Sequence, residues 1–245
     1  MVAIALIPAR LQSSRLPGKA IRRICNIPMI EHVYKRTSLA RNIDQVYVAT
    51  DSELIAKIVS GFGGKFIMTS PSHETGSDRI AEAASNINCD YVVNIQGDEA
   101  LVNPLFIDKC LTALQQSQGA DAVILVNKFY GEASVSDIKV VLNSDSFVMY
   151  FSRADIPSFS RFPLDYYLKA YHVVSFTKEF LLKFHSLPRR RLEVVESNEY
   201  LRILENGYRI KAVEVKSSAI SVDTLNDLRY VRSLMPYDPF FPQYA

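Results

Sequence analysis

The sequence predicts an α/β domain built on a mostly parallel sheet. Short apolar, β-branched runs recur at residues 2–7, 45–49 and 91–95. Amphipathic helical patterns lie between them. Strands that alternate with helices at this spacing indicate a doubly wound parallel arrangement.

Each element follows from local chemistry. Residues 2–7 (VAIALI) read as a buried first strand. Residues 28–39 read as a helix, with Pro28 favoured in its first turn. Residues 45–49 (QVYVA) form the next strand. Asp51 or Ser52 caps the following helix, whose Leu54, Ile55, Ile58 and Val59 share a face; Gly61, Gly63 and Gly64 end it. A short strand at 65–68, a helix at 77–84, a buried strand at 91–95 (YVVNI) and a helix at 104–115 complete the first half.

The pattern changes after Asp121. Residues 122–126, 139–142, 147–151 and 171–176 are strand-like, with Asn143, Ser144 and Asp145 between two of them, which predicts an antiparallel extension. Helices resume at 178–184 and about 195–206, where Gly207 is a natural stop. A last strand covers 209–215 and a last helix 225–234. The tail, 236–245, holds three prolines and four aromatics and is expected to pack extended on this subunit or a neighbour. The chain reads as one domain: a core of 1–126 and 177–235 with an extension at about 127–176.

Composition narrows the function. The 245 residues are 48% hydrophobic and 22% charged, with a net charge of +2, ordinary for a soluble globular protein. That balance gives no reason to expect nucleic acid or an anionic membrane as partner. Cys25, Cys89 and Cys110 lack metal-ligand spacing and sit in apolar stretches, so buried free thiols in a reducing cytoplasm are expected. The first apolar run has no basic leader and is too short for a signal core or a membrane span.

Three motifs carry chemistry. The first, residues 7–19 (IPARLQSSRLPGK), follows the first strand. Ligands of open α/β sheets bind beyond the carboxyl ends of the strands. Arg10, Arg15 and Lys19 concentrate positive charge there, while Ser13, Ser14 and Gly18 let backbone N–H groups approach phosphate. The second, residues 96–99 (QGDE), ends the strand at 91–95. A carboxylate there, beside a triphosphate, suits Mg²⁺, which takes one or two carboxylates plus phosphate oxygens. Asp98 is the better-placed ligand, with Glu99 behind it. The third, residues 221–224 (SVDT), precedes the last helix, so Asp223 or Thr224 is a candidate N-cap. The absence of GxGxxG disfavours a nicotinamide enzyme.

Taken together, residues 7–19, 49–51 (ATD), 63–71 (GGKFIMTSP), 76–79 (GSDR), 96–99, 150–157 (YFSRADIP), 201–207 (LRILENG) and 222–228 (VDTLNDL) resemble the 3-deoxy-manno-octulosonate (Kdo) cytidylyltransferases, or CMP-Kdo synthetases, in order and over nearly the whole chain. The resemblance implies a Rossmann-like nucleotidyltransferase fold with an antiparallel insertion used in homodimerisation. It implies that Arg10, Ser13, Ser14, Arg15 and Lys19 hold the phosphates of CTP, with Arg15, Lys19 and Asp98 at the reacting centre. Ser77, Arg79 and Gln96 are implied around cytosine and ribose. Asp98 and Asp223 are implied to hold Mg²⁺, and Arg153 to lie near the acidic sugar.

Departures from the family pattern concentrate on the sugar side. Ala100 stands in place of a proline. Where the family has a His-Leu-Gly-Ile-Tyr-like strand, this chain reads AYHVV at 170–174, so Ala170 replaces histidine and Val174 replaces tyrosine. His172 lies two residues along, on the same expected strand face. The family's Leu-Glu-Gln-Leu-Arg stretch reads NEYLR at 198–202: Glu199 is kept and Tyr200 replaces glutamine. His172, Glu199 and Tyr200 join Arg153 as expected acceptor-binding residues. An altered acceptor acid is the nearest alternative, and a non-catalytic nucleotide-binding homologue the next. His32 and His185 read as surface or core residues. His73 lies in the loop before Gly76, where a nucleotide-side contact is unsupported. Arg189, Arg190 and Arg191 read as a solvated turn, with a contact to a sugar carboxylate or phosphate as the sharper alternative.

Overall fold

The computed structural model describes residues 1–13, 15–130, 136–158, 160–216 and 220–245. Ser14 of the phosphate loop falls outside the described residues.

β1 (Ala3–Ala9) is buried at every position, as a strand covered on both faces must be. β2 (Arg23–Ile24) and β3 (Ile27–Pro28) form a small hairpin. α1 (Met29–Thr37) follows, with Pro28 in the cap position rather than the first turn. β4 (Gln45–Thr50) leads to α2 (Glu53–Gly61), where Ser52 Oγ accepts the Ile55 N–H as a cap. The buried face of α2 is Ile55, Ala56 and Val59; Leu54, expected on it, is exposed. β5 (Phe66–Met68), α3 (Gly76–Ser85), β6 (Tyr91–Ile95) and α4 (Pro104–Gln116) fall where the sequence puts them. They are followed by β7 (Ala122–Phe129), β8 (Lys139–Leu142), β9 (Val148–Ser152) and β10 (Tyr167–Thr177). Then come α5 (Lys178–Ser186), α6 (Arg191–Glu196), α7 (Leu201–Glu205), β11 (Ile210–Glu214) and α8 (Leu225–Leu234).

Among the described residues, one sheet has the order β11-β7-β10-β6-β1-β4-β5, with β8 paired to β10 and β9 paired to β8. β1 pairs in parallel with β4 and β6, and β7 with β11. β10 is antiparallel to both β6 and β7. The antiparallel stretch is therefore not confined to a projection: its last strand enters the middle of the main sheet. The chain runs outward from β1 to β4 and β5 and then returns past β1 to β6, so the order reverses between β1 and β6 and a crevice opens where the loops after these two strands diverge. The start of β10 lies at the same edge, because Val173 pairs with Ile95 at the end of β6.

Helices cover both faces. α1, α2 and α4 bury Ile30, Val33, Ile55, Val59, Ile107 and Leu111 on one side. α3, α5 and α7 bury Ile80, Ala84, Leu181, Phe184, Leu201 and Ile203 on the other. A third cluster lies under the crevice, where Leu16, Ala100, Val222, Leu228 and Val231 pack together. It ties the loop after β1, the loop after β6 and the start of α8 into one support, and Ala100 fills the proline position within it.

Three expectations need correction. The helix expected at 195–206 is two, separated by Ser197 in the left-handed conformation (φ 48°). Cys25 is exposed, at a turn of positive φ, while Cys89 and Cys110 are buried. The tail is not extended; it makes two 3-10 turns on its own subunit. Arg36, buried in α1, donates to Asp238 at 2.6 and 3.2 Å and to the Val102 carbonyl at 2.7 Å. His32 donates from Nε2 to the Ile24 carbonyl, which leaves Nδ1 to accept from the Tyr244 hydroxyl at 2.9 Å.

Candidate active site

Two cavities open at the carboxyl edge of the sheet and share a wall. The smaller, about 290 Å³, is lined by Arg10, Ser13, Arg15, Lys19, Arg79, Gln96, Asp98 and Asp223, with Gly76 and Gly97. The larger, about 860 Å³, is lined by Arg153, Lys169, His172, Asn198, Glu199 and Tyr200 among others. Arg15, Gln96, Asp98 and Asp223 border both. Gly97 is demanded by close approach: a Cβ there would stand 2.9 Å from the Pro8 carbonyl oxygen. Loss of that contact would separate the β1 and β6 loops.

Where the cavities meet, charges alternate. Lys19 Nζ donates to Asp98 Oδ2 at 2.5 Å and to Asp223 Oδ1 at 3.1 Å, and Arg15 Nη2 reaches the same Asp223 oxygen at 3.0 Å. Burial pulls the Lys19 pKa down, but the two carboxylates outweigh it and hold it above the ordinary lysine value. Asp223 is not the cap of α8. Thr224 takes that role in a full capping box, accepting the Asp227 N–H while Asp227 accepts the Thr224 N–H. Its carboxylate is left for the cleft. Glu99 lies behind Asp98, almost fully buried, and accepts from the Ser221 hydroxyl. Burial and the neighbouring Asp98 push its pKa up to about 7, which the Ser221 hydrogen bond partly offsets.

Two expected nucleotide contacts are already committed. Arg79 is buried, donating to Thr69 Oγ1 at 2.6 Å and Asp51 Oδ2 at 3.1 Å, although it borders the cleft. Ser77 is 1% exposed and does not line the cleft. Its N–H and hydroxyl both donate to Glu199, at 3.1 and 2.9 Å. Burial raises the Glu199 pKa although these donors favour its charged form.

On the other side, Arg153 is held to the wall by the turn between α6 and α7. Its backbone N–H donates to Glu196 Oε2 at 2.8 Å, and its Nε and Nη2 donate to the carbonyls of Glu196 and Ser197 at 2.9 and 3.1 Å. His172 lines the larger cavity from β10, and burial lowers its pKa. The register of β10 against β7 shifts between Tyr171 and Val174. Ala170 and Val174 border neither cavity; they are enclosed with Tyr200 in one apolar cluster. The Tyr200 hydroxyl accepts from Asn94 Nδ2 at 3.1 Å. Arg189 is paired with Glu74 and, at 3.2 Å, with Glu193. His73 bonds Glu82, and His185 Nδ1 lies 3.0 Å from Asp78 Oδ1.

The donor set bears on a metal. Among the described residues there is no cluster of three or more His, Cys, Asp and Glu side chains disposed as ligands. Two carboxylates around one cationic centre fit an ion that draws its other ligands from phosphate and water, as Mg²⁺ does.

Residues 4–212 match the family described as cytidylyltransferase. A 3-deoxy-manno-octulosonate cytidylyltransferase of Geobacter sulfurreducens is 41% identical over 93% of this chain and 96% of its own. The chain belongs to the CMP-Kdo synthetase family. An 8-amino-3,8-dideoxy-manno-octulosonate cytidylyltransferase of Shewanella sp. (strain ANA-3) is 40% identical over 95% of this chain and 98% of its own. Similarity to members of this family therefore spans two acceptor sugars at nearly equal identity. A solved CMP:2-keto-3-deoxy-manno-octonic acid synthetase complexed with CTP superposes with a TM-score of 0.90 at 35% identity, covering 97% of this chain and 99% of that one. The mixed sheet with its one reversed central strand thus matches the fold of that structure.

Proposed function

We propose that this protein transfers CMP from CTP to the anomeric hydroxyl of an acidic 3-deoxy-octulosonate and releases pyrophosphate. The observation that carries this reading is the junction of two cavities at Asp98 and Asp223. CTP occupies the smaller cavity with its phosphates on Arg10, Ser13, Ser14, Arg15 and Lys19 and its base toward Gln96. The sugar occupies the larger cavity near Arg153 and His172. Its hydroxyl meets the α-phosphorus where the two share a wall: one P–O bond forms and the bond to pyrophosphate breaks. Lys19 and Arg15 exchange aspartate oxygens for phosphate oxygens when nucleotide enters. Positioning and charge neutralisation supply most of the acceleration. In this reading Asp98 and Asp223 hold Mg²⁺, which when bound neutralises charge on the phosphates and lowers the pKa of the acceptor hydroxyl. Pyrophosphate release measured over four nucleotides and a panel of acidic sugars tests the reading; no release with any of them would leave a nucleotide-binding homologue.

The acceptor is expected to be a relative of Kdo rather than Kdo itself. The positions of the family histidine and tyrosine are filled by Ala170 and Val174, which carry no hydrogen-bonding group and sit in apolar packing. If the family histidine and tyrosine reach the sugar from these positions, two lost hydrogen bonds at about 0.5–1.5 kcal/mol each weaken productive binding by about tenfold or more. The 8-amino-3,8-dideoxy sugar named for one set of relatives is the first to try. The expected result is a kcat/KM at least about tenfold above that for Kdo. If Kdo is the best substrate, and Ala170→His with Val174→Tyr brings no gain, the family's usual acceptor stands.

A homodimer belongs to the same reading. Tyr130, Met149 and Phe162, around the antiparallel strands, are 69%, 63% and 80% exposed. Apolar side chains beside edge strands favour burial against a second copy. Light scattering at micromolar concentration should give twice the 27.7 kDa chain mass; a monomer mass would count against it.

A further inference from the structure

The break between α6 and α7 lies on the wall of the larger cavity and presents Ser197, Asn198, Glu199 and Tyr200 in succession. Ser197 turns the chain by adopting left-handed angles (φ 48°, ψ 50°), a conformation that costs a non-glycine residue energy and that clusters at binding sites. Asn198 then occupies a position where the family pattern has leucine.

Three of the four polar groups of Asn198 are committed. Its N–H donates to the Glu193 carbonyl at 3.1 Å, its carbonyl accepts the Leu201 N–H at 3.2 Å, and its Oδ1 accepts the Tyr200 N–H at 3.1 Å. The last bond fixes the orientation of the amide, so the remaining group is a donor. Asn198 is 7% exposed, and among the described residues its Nδ2 has no hydrogen-bond partner. A buried donor left without an acceptor lowers stability, and leucine would avoid that cost. Asn103, which also uses its Oδ1 to cap a helix, lies at the surface end of α4 and carries no comparable buried donor.

We infer that Asn198 is a specificity-determining residue for the acceptor: its Nδ2, enclosed in this conformation, donates to a hydroxyl oxygen of the sugar when binding shifts the turn at Ser197. This rests on the proposed transfer to an octulosonate. The cationic residues of the same wall, Arg153 and Lys169, suit the sugar carboxylate; a neutral amide suits a hydroxyl.

Two variants test it. Asn198→Leu restores the family residue and removes the donor. Asn198→Ser removes the amide donor but keeps an oxygen able to accept the Tyr200 N–H in a serine turn. Both are expected to raise the KM for the octulosonate by about tenfold, with the KM for CTP within about twofold of wild type. Asn198→Ser is expected to melt at the wild-type temperature. Calorimetric titration of the sugar into protein held with CTP at low temperature and without metal gives a readout independent of turnover, and should show the same loss. An unchanged sugar KM and affinity in both variants, with wild-type turnover intact, overturns this inference alone. Wild-type protein that neither turns over nor binds an octulosonate overturns the functional reading and this inference with it.

Discussion

Asp98→Asn and Asp223→Asn should each lower kcat by about 10³-fold or more while leaving the protein folded. Stabilising the charge that develops on a transferring phosphoryl group contributes several kcal/mol, and each 1.36 kcal/mol is tenfold in rate. Asparagine keeps the shape of aspartate and can still accept a hydrogen bond from Lys19, so the loop geometry survives. The helix after Asp223 also survives, because its cap is Thr224. Pyrophosphate release at saturating CTP gives the rate, and thermal unfolding followed by circular dichroism checks the fold. Turnover near wild type in Asp223→Asn would restrict that carboxylate to pairing with Lys19 and Arg15.

The second large effect is on stability. Arg202→Ala should destabilise the protein by about 3–5 kcal/mol, because it leaves buried carboxylates without their partner. The Arg202 side chain is 2% exposed; it donates to Glu193 at 2.6 and 2.8 Å and to Asp78 at 3.0 Å. For a chain of this size the melting temperature should fall by roughly 6–20 °C. A drop under about 1 kcal/mol would mean that the freed carboxylates find water or take up protons. The network also gives a sign for pH. Burial favours the neutral form of Asp78, but hydrogen bonds from Thr75, Arg202 and His185 outweigh it and hold its pKa below the ordinary value. Its contribution is therefore present above the unfolded carboxylate pKa of about 3.9 and is lost as pH falls through the lower folded value.

The sheet and the catalytic edge were legible in the sequence because both rest on local pattern. Buried strands such as β6 are apolar throughout, and the loops after β1 and β6 carry their charges within a few residues of a strand end. What was not legible depends on distant partners. The break at Ser197 has no glycine or proline to announce it; the helix stops because Arg202 and Arg153 bind the turn around it, one to Glu193 and the other to the Glu196 and Ser197 carbonyls. Leu54 fits the α2 stripe by spacing but sits at its edge, so periodicity alone could not show that it faces water. The commitment of Ser77 to Glu199 joins residues 122 positions apart. The place of Ala170 and Val174 in apolar packing depends on Tyr200 arriving from another element.

The position of β10 has a consequence for how the chain is made. Once β6 has left the ribosome, β5, β4, β1 and β6 can assemble from contiguous sequence, but the open edge of β6, a strand that includes Val92, Val93 and Ile95, pairs among the described residues with β10. Ile95 and Thr177 are 82 residues apart. At roughly 5–20 residues per second that is a wait of roughly 4–16 s. During that interval an apolar strand with unpaired backbone groups is available to any other chain. Expression at lower temperature or with abundant chaperones should therefore recover more native protein than refolding from denaturant at high concentration.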